Sequence, residues 1–275
     1  MLSIVLATYN EEKNIDKCLK AILIKNFADE IIIVDGSSTD KTREIAEKLG
    51  ARVINTTNKA NFHINKQMAM DEAKGDLVLQ LDADEIVDET LRLFITSIHN
   101  QIKKLKKENL QWASEWKKTN PVAWEIPRKN LFLGAWFKKG GQYPDPVIRL
   151  YINGFAKLPQ KDVHEQMKVN GMVAWAHGHL LHYANPTFGD YLRKFNTYTS
   201  FKAQQLMDDK LEINILTAIE YIFYFPIKTF VLIFLRHRGF VDGIPGFVFA
   251  VMSGMHHSIS FLKLWELKES KKKNA

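Results

Sequence analysis

Short apolar runs that end in polar clusters and alternate with helix-like segments constrain the fold of this chain more than any other feature. Residues 2–7 form a β-rich run ending in Thr8-Tyr9-Asn10-Glu11-Glu12, and residues 30–34 form another ending in Asp35-Gly36-Ser37-Ser38-Thr39-Asp40. Residues 13–25 and 41–49 carry helical periodicity, and a third apolar run, 51–54, follows. Strands alternating with helices at this spacing predict a parallel sheet flanked by helices, with ligands bound outside the carboxyl ends of the strands. The apolar run 77–81 ends in Asp82-Ala83-Asp84-Glu85 and is read as a fourth strand opening on the same edge.

Asp82 and Asp84 place two carboxylates where a buried strand reaches solvent. One residue separates them, so both point the same way in an extended strand, and a turn lets both converge on one hard cation. Mg2+ or Mn2+ suits such oxygen ligands and normally completes its shell with substrate phosphates. The competing reading is that Asp84 and Glu85 are solvated turn residues.

The segments ATYNEE, VDGSSTD and QLDADE resemble the family 2 glycosyltransferases, which have the GT-A fold. Residues 65–70, leading into 73–76, resemble that family's basic segment ahead of the DxD strand, with Lys66 where arginine is common. Segments 128–134, 146–151 and Val163-His164-Glu165 resemble the subgroup that includes lipopolysaccharide-core transferases of the WaaE type. The resemblance implies an α/β GT-A fold, a mostly parallel sheet flanked by helices, and an inverting, metal-dependent transfer of a sugar from a nucleotide diphosphate to a glycan or glycolipid acceptor.

On that premise Asp35 accepts from a base N–H, while Thr8, Tyr9, Glu11 and Ser38 line the same crevice. Thr39 and Asp40 are expected to cap the following helix. Lys66 meets the diphosphate as a point charge, or is a solvated surface lysine. Arg128 and Arg149 are phosphate-side or acceptor-side candidates, although a charged residue on an apolar strand usually marks the solvent face. By resemblance Glu165 occupies the position of the catalytic base, with Asp162 in reserve; His164 orients its neighbour or packs in the core. In His177-Gly178-His179-Leu180-Leu181-His182, His182 best matches the family's imidazole for the metal or the departing phosphate. A structural zinc is not expected there, because no cysteine is nearby and the other evident ligands are hard carboxylates.

The formal charge of +7 and pI near 9.2 call for an anionic neighbour. No recognised nucleic-acid motif is present and the basic residues are scattered, which favours an anionic membrane surface. From residue 213 onward Asn214, Thr217, Tyr221, Tyr224 and Lys228 recur at helical spacing on an otherwise apolar helix, as in a helix lying in a bilayer interface. Lys228, Arg236, His237 and Arg238 are placed near lipid phosphates and Trp265 at headgroup depth. Residues 243–262 are nearly long enough to span, but Pro245, glycines, serines and His256-His257 weaken that reading; a spanning hairpin and core helices are the alternatives. The lysines at 103–107 are expected at an exposed helix end or a linker, and Lys271 to Lys273 as a basic tail.

The expected organisation is a catalytic domain over 1–205, with a nucleotide-sugar half at 1–87 and an acceptor half at 110–190, and a membrane-associating helical extension over 206–275. Cys18 permits no intramolecular disulfide, and no secretory signal opens the chain, so the expected location is cytoplasmic, peripheral on the inner face of the cell membrane. Other readings are transfer to polyprenyl phosphate, a non-catalytic nucleotide-sugar-binding or scaffold protein, and a nucleotidyltransferase with a similar carboxylate pair.

Overall fold

In chain order the elements are β1 (Leu2–Thr8), α1 (Glu12–Leu23), β2 (Glu30–Asp35), α2 (Thr42–Lys48), β3 (Arg52–Asn55), α3 (Phe62–Asp71), β4 (Leu77–Leu81), β5 (Glu85–Val87), α4 (Glu89–Glu108), α5 (Trp112–Thr119) and β6 (Ala123–Phe132). They continue through β7 (Ala135–Trp136), β8 (Pro146–Ile152), β9 (Ala156–Lys157), β10 (Lys168–Val169), β11 (Val173–Trp175), β12 (Leu180–Asn185) and α6 (Phe188–Asp208). A helix over Ile215–Arg236 and a closing helix over Gly243–Lys273 follow. This computed structural model describes residues 1–59, 61–159 and 166–273. The chain divides into two compact units, Met1–Arg128 with Pro146–His182, and Lys129–Asp145 with Tyr183–Ala275.

Side chains alternate across a strand, and in the first unit that alternation assigns both faces of the sheet. Leu2, Ile4 and Leu6 of β1 share a core with Ile15, Cys18, Leu19 and Ile22 of α1, whereas Val5 packs in the cluster that holds Ala69 and Met70 of α3. Strands β2 and β4 divide the same way, with Ile31, Ile33, Leu77 and Leu79 on one side and Ile32, Val34 and Val78 on the other. Burial on both faces is why these strands read as unbroken apolar runs.

The sheet follows the path β3-β2-β1-β4-β8-β6. Its first four strands are parallel, with Thr8 opposite Asp35, Asp35 opposite Asn55, and Leu6 opposite Leu81, so their carboxyl ends share one edge. Beyond β4 the pairing turns antiparallel, β4 to β8 and β8 to β6, and β11 then adds to β6 in parallel. Parallel neighbours need long, usually helical crossovers, which exist among the first four strands; no helix intervenes between β6 and β8. At the start of β4, Gly75 donates its N–H to Ser3 Oγ at 2.7 Å, and a Cβ there would stand 2.4 Å from that oxygen. Glycine permits this approach of β4 to β1.

Candidate active site

The loops after β1 and β2 are laced together above the strand ends. Asp35 is fully buried; its Oδ2 receives Thr8 Oγ1 at 2.9 Å and Ser38 Oγ at 2.6 Å, and its Oδ1 receives the Ser38 N–H at 2.8 Å. Arg43 Nε stands 3.8 Å from the same carboxylate. Thr8, Asp35 and Ser38 therefore form one cluster at the ends of adjacent strands. Tyr9 is exposed at the same strand end, and Glu11 accepts from Asn14 Nδ2 at 2.8 Å. Asp40 stands one residue ahead of the N-cap of α2, Lys41, which has no side-chain cap bond, and accepts from the Thr42 N–H and Oγ1 in the first turn. Burial works against its charge, but these bonds and one from the Glu12 N–H hold its carboxyl below the usual range. Thr39 does not cap: its N–H donates to Asn10 Oδ1 at 2.8 Å, joining the two loops.

The second part of the site is the turn that ends β4. The Glu85 N–H donates to Asp82 O at 3.0 Å, closing a turn over Asp82-Ala83-Asp84-Glu85 and reversing the chain into β5. Lys66, carried on α3, places Nζ 2.5 Å from Asp82 Oδ1, and Arg149, carried on β8, places Nη2 2.5 Å from Asp82 Oδ2. Burial opposes ionisation of Asp82, yet the charges of Arg149 and Lys66 override it and hold its carboxyl far below the ordinary range. Burial lowers the Lys66 ammonium, partly offset by Asp82, while Arg149 is raised, against its burial, by Asp82 and Glu85. Arg149 is buried, contrary to the solvent-face reading of a charge on an apolar strand; its Nη1 reaches Gln80 Oε1, and its Nε is buried with no hydrogen-bond partner among the described residues.

Glu85 and Gln80 are the residues that sequence reasoning passes over. Glu85 is fully buried rather than a solvated turn residue: its Oε2 receives the Asp82 N–H at 3.0 Å, and its Oε1 lies 3.5 Å from Arg149 Nη2 and 3.6 Å from Arg128 Nη1. Gln80 carried a usable signal, because an amide inside a run buried on both faces must find a partner. Glu85 carried none, since a carboxylate after a turn normally faces water.

Asp84 points elsewhere than Asp82. Its Oδ2 is 3.5 Å from His182 Nε2, and His182 stands opposite Glu85 where β12 pairs with β5. The neighbouring imidazoles separate: His179 Nδ1 is 3.0 Å from Asp88 Oδ2, and His177 sets its ring edge-on to Phe94. Among the described residues no three His, Cys, Asp or Glu side chains gather as a metal cage. The pair Asp84 and His182 nevertheless fits Mn2+ or Mg2+, because a hard carboxylate with one imidazole leaves the remaining positions to phosphate and water. Asp82 has both oxygens engaged by cations and is the poorer ligand.

Glu165, Asp162 and His164 lie outside the described residues. The chain leading to them is anchored on the helix that bears Lys66, since the Leu158 N–H donates to Gln67 Oε1 at 2.7 Å and Pro159 O lies 3.0 Å from His63 Nδ1. The site thus combines a buried carboxylate with hydroxyls at one strand end and, at the next, three cations over two carboxylates, an arrangement suited to a phosphorylated ligand.

A family model described as Glycosyl transferase family 2 matches residues 3–152. An uncharacterized glycosyltransferase of Rickettsia typhi is 29% identical over 97% of this chain and 87% of its own. The lipopolysaccharide core biosynthesis glycosyltransferase LpsC of Rhizobium meliloti is 24% identical over 96% of this chain and 92% of its own. Among solved structures, glucosyl-3-phosphoglycerate synthase from Mycobacterium tuberculosis, in complex with Mn2+ and UDP-glucose, matches 35% of this chain and 36% of that one at 28% identity and a TM-score of 0.30. Residues 1–349 of S. aureus TarS, in complex with UDP, match all of this chain and 92% of that one at 15% identity and a TM-score of 0.46.

Proposed function

The chain belongs to glycosyl transferase family 2 and is a glycosyltransferase with a GT-A catalytic fold; from that premise we propose that it moves a sugar, with inversion, from a nucleotide diphosphate to a hydroxyl of a lipid-linked or lipopolysaccharide-type glycan at the cytoplasmic face of the cell membrane. The observation that carries this reading is the convergence of Lys66, Arg149 and Arg128 on the Asp82–Glu85 turn, beside Asp84 and His182. Thr8, Asp35 and Ser38 hold the nucleoside end. Lys66 and Arg149 present positive charge to the diphosphate, where charge develops as the glycosidic bond breaks. Asp84 and His182 hold Mn2+ or Mg2+, which when bound neutralises the departing diphosphate. The acceptor class is supported by likeness to the lipopolysaccharide-core enzyme along nearly the whole chain.

Glu165 takes the acceptor proton while the hydroxyl oxygen bonds to the anomeric carbon and the nucleotide departs from the opposite face. A thermal-shift panel of nucleotide sugars with and without Mn2+ tests the donor reading, because a ligand of the folded state raises Tm by mass action. A metal-dependent rise with one donor is expected; none with any donor refutes it. Glu165→Gln is expected to leave that rise intact and lower turnover by about 10²–10⁴-fold. Turnover within a few-fold of wild type would point instead to an acceptor already ionised, such as polyprenyl phosphate.

A further inference from the structure

The second unit carries an outward row that no part of the described chain covers. Along the helix Ile215–Arg236 the exposed positions fall in adjacent pairs every four residues. One member of each pair is Ile215, Ile219, Phe223, Ile227, Val231 or Leu235, all apolar and exposed, with Ile227 61% accessible. The other member is Leu216, Glu220, Tyr224, Lys228, Leu232 or Arg236, a row that mixes apolar and charged side chains. An α-helix of 3.6 residues per turn would carry a four-residue repeat steadily around its axis. The wider π-type turns over Glu220–Tyr224 and Val231–Arg236 counter that drift and keep the row straight. The opposite face is closed by the final helix, where Ser258 Oγ donates to Tyr221 O at 3.1 Å, His257 Nε2 lies 3.0 Å from Thr229 Oγ1, and Gly254 packs against Pro226.

The polar stripe expected from sequence is not this outward face. Asn214 and Thr217 form the capping box that starts the helix, and Tyr221 stacks inward on Phe261. Of that stripe Tyr224 and Lys228 look out from the helix, and Asn214, also exposed, precedes it as the cap.

The turn between the two helices is fastened within the same unit. Asp242 accepts the N–H groups of Lys138 at 2.7 Å and Lys139 at 3.1 Å, and the Gly140 N–H donates to His237 O at 2.9 Å. These bonds gather Lys138, Lys139, Arg236 and Arg238, all exposed, at one end of the hairpin. A hairpin crossing a bilayer would have to carry those cations and the 138–140 loop to the far side. We infer that the helix Ile215–Arg236 lies flat on an anionic phospholipid surface, its apolar row at acyl depth and the basic turn against lipid phosphates. Charge complementarity selects this occupant over a neutral apolar partner, and an apolar row bordered by a mixed row is the pattern of an interfacial helix. The inference stands apart from the choice of donor sugar, since lipid binding is read without turnover.

The test is vesicle flotation of the full chain with phosphatidylcholine alone and with added phosphatidylglycerol. Flotation with the anionic vesicles, weakened by salt and released by alkaline carbonate, is expected. Ile219→Glu with Ile227→Glu, both outward, should cut bound protein at least tenfold, and Lys138→Gln with Lys139→Gln and Arg238→Gln should remove the preference for phosphatidylglycerol. As a check independent of those variants, a polarity-sensitive dye on Phe223→Cys should shift blue with vesicles while one on Gln101→Cys does not; the native Cys18 is buried. Retention through carbonate would overturn the flat placement in favour of a spanning hairpin. Absence of flotation, with a dimer that Ile219→Glu dissociates, would assign the row to a second copy of the chain.

Discussion

Asp82 and Asp84 stand one residue apart and do different work in the folded chain. The turn swings them toward different partners: Asp82 is held between Lys66 and Arg149, and Asp84 faces His182. Asp84→Asn is therefore expected to weaken Mn2+-dependent donor binding by more than the roughly 10–100-fold that loss of a supporting partner costs, with transfer abolished. Calorimetric titration of Mn2+ in the presence of donor checks this, and unchanged affinity removes Asp84 from the metal site. Glu85 supports the turn from a fully buried position and stands beside both arginines, so its loss removes one carboxylate from the charge balance of buried Arg149 and half-buried Arg128. Glu85→Gln should cost about 3–5 kcal/mol in denaturant unfolding, the range for breaking one side of a buried ion pair. A cost below about 1 kcal/mol, the scale of a surface pair, would show that solvent screens the cluster.

At the scale of elements, the site is assembled by three that are far apart in sequence: α3 supplies Lys66, the turn after β4 supplies the carboxylates, and β8 supplies Arg149. Helix α3 has a second task, since Gln67 and His63 anchor the chain that leads toward Asp162 and Glu165. The placement of β4 against β1 sets the height of the carboxylate turn, and Gly75, two residues before β4, packs against Ser3 of β1. Gly75→Ala would put a methyl 2.4 Å from Ser3 Oγ and 2.7 Å from the Ser3 nitrogen. The expected result is a loss of about 1–3 kcal/mol in unfolding free energy, as for other forced overpacking. Ser3→Gly in the same chain should restore part of it; a neutral Gly75→Ala would show that β4 can shift without penalty.

For the molecule as a whole, acid stability follows from carboxylates held ionised in the native state. Asp82 is held low, against burial, by Arg149 and Lys66; Asp76 is held low, against burial, by Lys106 and the N-terminal ammonium. Their folded pKa values lie below the unfolded value of about 3.9, so the unfolded chain binds more protons as the pH drops. The stabilisation is fully present above that value and is lost as pH falls through the folded pKa values. Tm is expected to hold through the neutral range and decline below about pH 4, and Asp82→Asn should flatten that decline. A wild-type Tm unchanged down to pH 3 would refute the assignment.

By itself the sequence determined the four parallel strands, the helices between them and the edge on which polar residues collect. Those features follow from periodicity and turn chemistry, which act over a few residues. The same local signals marked Asp82 and Asp84 as a pair, while Thr8, Asp35 and Ser38 were grouped through the resemblance of their segments to a known family. Tertiary structure decided what local pattern does not carry: that Glu85 is buried, that Arg149 points inward, that Asp82 is claimed by two cations, and that the sheet turns antiparallel beyond β4. Each depends on which distant strand or helix stands alongside, and a side chain's charge state and direction are set by that neighbour rather than by its own neighbours in the chain.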